Sequence, residues 1–256
     1  MVRQKGQRIK LCIMMSIVMV LVLFVLVSCS TKKNTSATRA YHALTAHYNT
    51  LFNGQQAYLE GYEAQGKGHK DNFNEVLPMY ICTNKATASL GKSNFETAIT
   101  KSEKAIKVHS IKKRPIIKAG GKRTEKEKLF LARKEFNPYM YHAWMTMADA
   151  QFQKGEFDEA AATFSYMSRL YQSQPLPNSV ARAWLAQSYL EQDWLYDAED
   201  VIRKMSRDSI NHHAAKEWDY TYADYYVHTG EYEKAIPYLR KVIKHEMRKK
   251  QRAREW

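Results

Sequence analysis

Apolar and polar positions follow two different patterns along this chain of 256 residues. The first is a mainly apolar run, Leu11–Val27, which follows a basic N-terminus and ends in Leu-Val-Ser-Cys at Cys29. This arrangement is typical of an exported bacterial protein that is cleaved and lipidated at the cysteine. We therefore predict lipidation of Cys29. The alternative is an uncleaved signal anchor, because the run is only slightly shorter than the roughly 20 residues that span a bilayer.

The second pattern is a set of alanine pairs, with the two alanines of each pair twelve residues apart. A larger residue stands at one fixed position between them, and a turn residue precedes it by two positions. Small side chains allow two helices to approach closely, while the larger residue fills the gap between them. The pattern predicts four helical hairpins, built on the pairs Ala86/Ala98, Ala148/Ala160, Ala186/Ala198 and Ala223/Ala235, with turns at Ser93, Gly155, Asp193 and Gly230.

This spacing resembles the tetratricopeptide repeat, and two segments match it best: AWMTMADAQFQKGEFDEAAATF (143–164) and YADYYVHTGEYEKAIPYL (222–239). The predicted fold class is therefore all-α, a tetratricopeptide-like α-solenoid of helical hairpins behind a cleaved lipoprotein signal peptide. Residues 38–64 read as a further, degenerate hairpin broken at Asn53-Gly54. Pro78 suits the first turn of the next helix.

The repeat spacing also predicts an insertion. The first alanines of successive hairpins advance by 38 and then 37 residues, but Ala86 and Ala148 are 62 apart, which leaves about 25 extra residues. We predict five parts: a signal peptide at 1–28, a flexible tether at 29–37, N-terminal helical hairpins including one degenerate repeat at 38–109, a basic insertion at 110–134, and tetratricopeptide repeats at 135–256, the last of them truncated.

Positive charge is concentrated in two places. The formal net charge is +14, and residues 112–134 hold ten Lys or Arg against two Glu, while 240–256 hold eight against two. Nucleic acid often binds such patches, but an exported protein meets anionic lipid headgroups or an acidic protein surface instead. The residues expected to form the basic patch are Lys112, Lys113, Arg114, Lys118, Lys122 and Arg123.

No residue pattern indicates catalysis, a cofactor or a small-molecule substrate. The histidine spacing matches no HExxH motif, so no metal set is expected. The segment ATASLGKS (86–93) loosely resembles a phosphate-binding loop, but a phosphate cradle needs more glycine than Gly91 alone. After cleavage and lipidation Cys82 is the one remaining thiol, which excludes an intramolecular disulfide. We therefore predict a non-enzymatic protein.

A binding surface follows from the repeat register. In tetratricopeptide arrays the concave face comes from the first helix of each hairpin, at fixed positions around its alanine. A mixture of apolar, acidic and amide side chains there suits an extended peptide or a partner helix. The predicted groove residues are Met145, Asp149, Phe152, Gln153, Ala183, Gln187, Leu190, Glu191, Tyr220, Asp224, Val227 and His228.

Several segments in combination resemble the N-terminal part of the PorW/SprE lipoproteins of the type IX secretion and gliding-motility machinery. They are CSTKKNT, YHALTAHYNTLFNG, NFETAITKSEKAI, KKRPIIKAGGKRTEKEK and FLARKEFNPYMYHAWMTMADAQFQKGEFDEAAATF. The resemblance implies an outer-membrane lipoprotein that faces the periplasm. It would act there as a scaffold between the ring of the secretion apparatus and the outer-membrane translocon.

Two other functions remain open at this stage. The chain could be an assembly lipoprotein of the machinery that inserts β-barrels into the outer membrane. It could also carry an enzymatic domain beyond Trp256, because the sequence stops inside what reads as the first helix of another repeat, whereas proteins of the resembled family are much longer.

Overall fold

The fold is described from a computed structural model of the chain. The structure describes residues 14–15, 30–74, 76–83, 87, 89–116, 123–207 and 210–254, so Cys29, most of the predicted signal peptide, Ala86, Lys118 and Lys122 lie outside it. Its α-helices are α1 (Ser36–Thr45), α2 (Phe52–Gly68), α3 (Lys92–His109), α4 (Glu125–Leu131), α5 (Met140–Gln153), α6 (Phe157–Leu170), α7 (Pro175–Leu190), α8 (Leu195–Arg207), α9 (Ala215–His228) and α10 (Tyr232–Arg254).

Within the described residues every regular element is a helix, and the helices stack as hairpins. The hairpins are α2/α3, α5/α6, α7/α8 and α9/α10. Successive hairpins pack through α3 on α5, α6 on α7 and α7 on α9. The predicted fold class, a tetratricopeptide-like α-solenoid, is therefore confirmed. No helix among the described residues combines the length and the apolar character that crossing a membrane requires.

Three hairpins close with the same turn. Gly155, Asp193 and Gly230 have positive φ angles of 84°, 57° and 73°. In each turn the amide of the following residue donates a hydrogen bond to the carbonyl oxygen five residues before it, over 2.8 to 2.9 Å. This bond is typical of helices that end in a left-handed residue. The turn positions predicted for these three hairpins are confirmed.

The paired alanines lie where the two helices of a hairpin touch. Ala148, Ala160, Ala186 and Ala198 have no exposed surface, and Ala223 and Ala235 are equally buried. Because the interior is close-packed, a larger side chain at any of these positions would force the helices apart. The alanine spacing therefore reflects the close approach of the two helices in each hairpin.

The first hairpin differs from its prediction. Helix α1 continues through a π-helical turn (Ala46–Leu51) into α2, so the predicted break at Asn53-Gly54 is wrong. Gly61 on α2 takes the position expected of Ala86, because a Cβ atom built on it would stand 2.8 Å from Cε1 of Phe95 on α3. The turn predicted at Ser93 lies two residues earlier, at Gly91, which has a φ of 71°.

The two helices of this first hairpin are joined by a long segment, 69–91. The described residues of this segment hold only a short 3-10 turn, Ile81–Thr83, so the α-helix expected to start at Pro78 is absent there. Part of this segment reaches α7, where the hydroxyl of Tyr80 bonds to Gln187. Its path decides the shape of the binding surface described below.

The basic insertion is fixed at its base by a buried carboxylate. Glu135 is 2% exposed, and its Oε1 accepts hydrogen bonds from the backbone amides of Ile111, Phe136 and Asn137 at 2.8 to 3.0 Å. Its other oxygen accepts a hydrogen bond from the hydroxyl of Ser110. Hydrogen bonds to a charged acceptor are about twice as strong as neutral ones. The chain therefore leaves and re-enters the solenoid at one rigid point.

Candidate partner-binding cleft

The twelve predicted groove residues lie on α5, α7 and α9 or at the ends of these helices, on one side of the stack, but they do not form an open groove. Six are half-buried: Met145, Asp149, Glu191, Tyr220, Val227 and His228. The other six are buried: Phe152, Gln153, Ala183, Gln187, Leu190 and Asp224. Neighbouring helices bury some of them, such as Ala183, which packs with Trp218 of α9, whereas Phe152 and Gln187 contact a segment outside the helices.

That segment is Met79–Cys82, within the long connection of the first hairpin. The ring centroid of Tyr80 lies 5.0 Å from that of Phe152 and 5.7 Å from that of Trp184. Its hydroxyl donates a hydrogen bond to Oε1 of Gln187 over 2.5 Å. Cys82, 2% exposed, packs in the same cluster as Ala148 and Phe152. The segment therefore occupies the groove between α5 and α7.

Two glutamines tie the surrounding helices to this arrangement. Nε2 of the buried Gln65 on α2 donates a hydrogen bond to the carbonyl oxygen of Gln153 at the end of α5, over 2.8 Å. Nε2 of Gln187 on α7 donates one to Oγ1 of Thr221 on α9, also over 2.8 Å. These two hydrogen bonds connect α2 to α5 and α7 to α9 within the buried part of the stack.

The part of the concave side that stays open is a cleft between α2 and α9. Its volume is about 430 Å³. Leu59 and Tyr62 on its rim are 57% and 48% exposed. We call this cavity the partner cleft. It is lined by Tyr58, Leu59, Tyr62, Met79, Tyr80, Gln153, Trp184, Gln187, Lys216, Glu217 and Tyr220. An aromatic cleft with a few amide and charged groups suits a peptide or a helix of another protein.

Several acidic side chains lie on this concave side of the stack. Burial, with the nearby negative charge of Glu217, raises the pKa of Asp149 to about 8. Oδ1 of Asp149 and Oε2 of Glu217 are buried and have no hydrogen-bond partner among the described residues. Burial also raises the pKa values of Glu191 and Asp224, and the charge of Asp224 adds to the shift at Glu191. Asp149, Glu191 and Asp224 therefore keep their protons to a higher pH than exposed carboxylates do.

The described part of the predicted basic patch divides between two roles. Nζ of Lys112 lies 3.0 Å from the hydroxyl of Tyr166 and over its ring, so this lysine secures the insertion to α6. Lys113 and Arg114 are exposed and join Lys33 and Arg39 around a second cavity of about 690 Å³. Arg123, near the middle of the insertion in sequence, is exposed.

Sequence reasoning missed Tyr58, Leu59, Tyr62 and Tyr80, because none of them occupies a groove position of the repeat register. One signal was available. The apolar stretch VLPMYIC (76–82) lies between polar segments, and its second part belongs to the predicted helix that starts at Pro78. An apolar stretch that forms no helix still has to be buried against another part of the chain.

The comparison with known families matches one part of the chain. A tetratricopeptide-repeat family profile matches residues 220–244, which span most of the α9/α10 hairpin. No curated protein matches the sequence closely enough to count as a relative. Together with the hairpin stack, the match supports a tetratricopeptide-repeat protein. Proteins of this class are typically non-enzymatic scaffolds that bind other proteins.

Proposed function

We propose that this protein is a lipid-anchored scaffold on the periplasmic face of the outer membrane, where it holds together components of the type IX secretion and gliding-motility machinery. The partner cleft is the observation that carries protein binding, since it exposes apolar side chains on the concave side of a repeat stack. The lipidation pattern that ends at Cys29 supports the anchor. The resemblance to the PorW/SprE lipoproteins supports the machinery.

The surface that engages partners can be tested by photo-crosslinking in the native cell. A photoreactive amino acid at Leu59, on the rim of the partner cleft, should crosslink to proteins of the secretion ring or the translocon. The matched control is Tyr196 on α8, which is 79% exposed but does not line the cleft. Crosslinks at Tyr196 should be absent or several-fold weaker.

The alternative function in β-barrel assembly has its own outcome in this experiment. Crosslinks from Leu59 to subunits of the β-barrel insertion machinery alone would identify an assembly factor and defeat the secretion proposal. The same products at equal yield from both positions would show that the cleft is not the binding surface.

The exposed cations beside the tether favour a second contact, with anionic lipid headgroups. Nδ2 of Asn34 donates a hydrogen bond of 2.5 Å to the carbonyl oxygen of Lys113, and Lys33 and Arg39 line the same cavity as Lys113 and Arg114. A lipid on Cys29 would place this cavity at the membrane surface, only a few residues from the anchor. Each basic residue near an anionic surface contributes about 1 kcal/mol of binding.

We expect the double variant K113S/R114S to bind vesicles containing phosphatidylglycerol several-fold more weakly than the natural sequence. Binding of the natural sequence should also weaken as salt rises, because the screening length is about 10 Å at 0.1 M salt. The control K104S/K107S removes the same charge from exposed positions of α3 and should bind like the natural sequence. Co-sedimentation with the vesicles measures both. Equal binding by all three proteins would mean that the patch does not face the lipid.

A further inference from the structure

We propose that Glu191, Asp224 and His228 form a binding site for one divalent transition-metal ion such as Zn²⁺. One ligand atom from each residue, a carboxylate oxygen from the two acids and an imidazole nitrogen from the histidine, lies within 4.8 Å of the other two. In a tetrahedral site with bonds of about 2.1 Å, the ligand atoms stand about 3.4 Å apart. Small side-chain rotations would close the site.

One pair of these ligands already stands close to the required separation. Oδ1 of Asp224 and Nε2 of His228 are 3.6 Å apart. That distance is too long for a hydrogen bond, but it suits two ligands of one ion. The two residues are four positions apart on α9, so both face the same side of the helix.

An independent observation at Asp224 also indicates a missing ligand. The residue is 1% exposed, and its Oδ2 is buried without a hydrogen-bond partner among the described residues. A buried carboxylate oxygen that lacks a partner is costly to the fold, and native structures rarely keep one. Coordination of a cation through both oxygens of Asp224 would compensate the buried charge and give Oδ2 a partner.

The surroundings of His228 resemble those of metal-bound histidines. Its second ring nitrogen, Nδ1, faces Oδ1 of Asp193 at 3.6 Å. Metal-bound histidines commonly donate this ring N–H to a carboxylate, and the exposed Asp193 carboxylate lies near that position without making the hydrogen bond. Asp193 occupies the left-handed turn between α7 and α8, so the position of its backbone is set by the fold.

The ligand set selects the class of ion. One imidazole with two carboxylates suits Zn²⁺ and related transition metals, whereas Mg²⁺ and Ca²⁺ prefer sites made of oxygen alone. Three protein ligands leave one coordination position for water or another group. Because Glu191 follows α7 and the other ligands lie on α9, the ion would join two successive hairpins. This role is independent of the partner cleft and of the proposed function.

The sequence predicted no metal set, because the histidines along the chain match no ligand motif. The proposed ligands are separated by 33 residues between Glu191 and Asp224 and come from different hairpins. Only the packing of α7 on α9 brings them together. No motif with local spacing could have indicated this site.

Calorimetric titration of the full chain with Zn²⁺ tests the proposal. We expect one ion bound per chain at this site, a rise in the unfolding temperature, and little response to Mg²⁺. The variants E191Q, D224N and H228Q should each bind Zn²⁺ at least tenfold more weakly. D193N keeps all three ligands and changes only an exposed side chain, so it should weaken binding less than any of these three variants.

The matched control is H245Q, which removes a histidine that contacts Oδ2 of Asp219 at 2.9 Å across the α9/α10 hairpin. It should bind Zn²⁺ like the natural sequence. Because E191Q and H228Q change half-buried side chains, they test the site even where D224N fails to fold. Unchanged Zn²⁺ binding in these two variants, or an equal loss in H245Q, would overturn the proposal.

Discussion

Replacing Tyr80 with alanine should lower the free energy of unfolding by about 3 kcal/mol, the usual cost of deleting a large aromatic side chain from a packed site. The ring of Tyr80 packs against Phe152 and Trp184, and its hydroxyl bonds to Gln187. Deletion leaves a hole between α5 and α7 that the backbone cannot easily close. Urea unfolding followed by circular dichroism measures the loss.

The same variant should expose the thiol of Cys82. Cys82 is 2% exposed and lies two residues from Tyr80 in the covering segment. Once the tyrosine anchor is lost, the segment should leave the groove far more often, and a thiol reagent should label Cys82 at a much higher rate in the folded protein. Mass spectrometry of the labelled peptide separates Cys82 from Cys12 and Cys29.

Tyr80→Phe serves as the control for this pair of measurements. It keeps the ring but removes the hydrogen bond to Gln187, so it should cost only about 1 kcal/mol and leave Cys82 slow to react. If Tyr80→Ala unfolds at the same urea concentration as the natural sequence, the segment does not contribute to the stability of the groove, and the partner cleft would extend further between α5 and α7.

The three C-terminal hairpins could be predicted because their defining contacts are local. Ala148 and Ala160 are close in sequence, and the turn at Gly155 lies between them, so one short window contains every residue that shapes the hairpin. A pattern of small and large residues then reports the packing directly. The same holds for the hairpins that turn at Asp193 and Gly230.

The first hairpin and the filled groove could not be predicted because their contacts are distant in sequence. The long connection separates Gly61 from its partner Phe95, so a search for pairs twelve apart selected Ala86 instead. Tyr80 reaches Gln187 across 107 residues. Local spacing carries no information about such contacts. The predicted groove residues lie on one side of the solenoid, but local spacing could not show which of them the long connection covers.

The stability of the folded protein should fall as pH rises from 6.5 to 8, and Asp149 should cause a measurable part of the fall. Its pKa in the folded state is about 8, well above the ordinary value of 3.8. Between these values the folded state keeps a proton that the unfolded chain releases, so unfolding becomes more favourable with each step in pH. One such group contributes about 1.4 kcal/mol per pH unit until its folded pKa is reached.

Replacing Asp149 with asparagine should reduce this dependence, because the amide carries no titrating proton, while Glu191 and Asp224, whose pKa values are also raised, still contribute to it. The groups that face the carboxyl are Tyr58 from α2, Tyr141 from α5 and Glu217 from α9. The tyrosines do not titrate in this window, since burial raises their pKa values above the ordinary 10. The window also starts above the range in which the buried His42 and His109, whose pKa values are lowered, would gain protons.

Urea unfolding at several pH values measures the slope directly. From pH 6.5 to 8 the natural sequence should lose up to about 2 kcal/mol more than Asp149→Asn does. The control Asp158→Asn removes an exposed carboxylate at the start of α6, and its slope should equal that of the natural sequence. Equal slopes for all three proteins would show that Asp149 is ionised in the folded state. The concave side would then carry a full negative charge beside the partner cleft at neutral pH, and a cationic partner would be favoured over a neutral one.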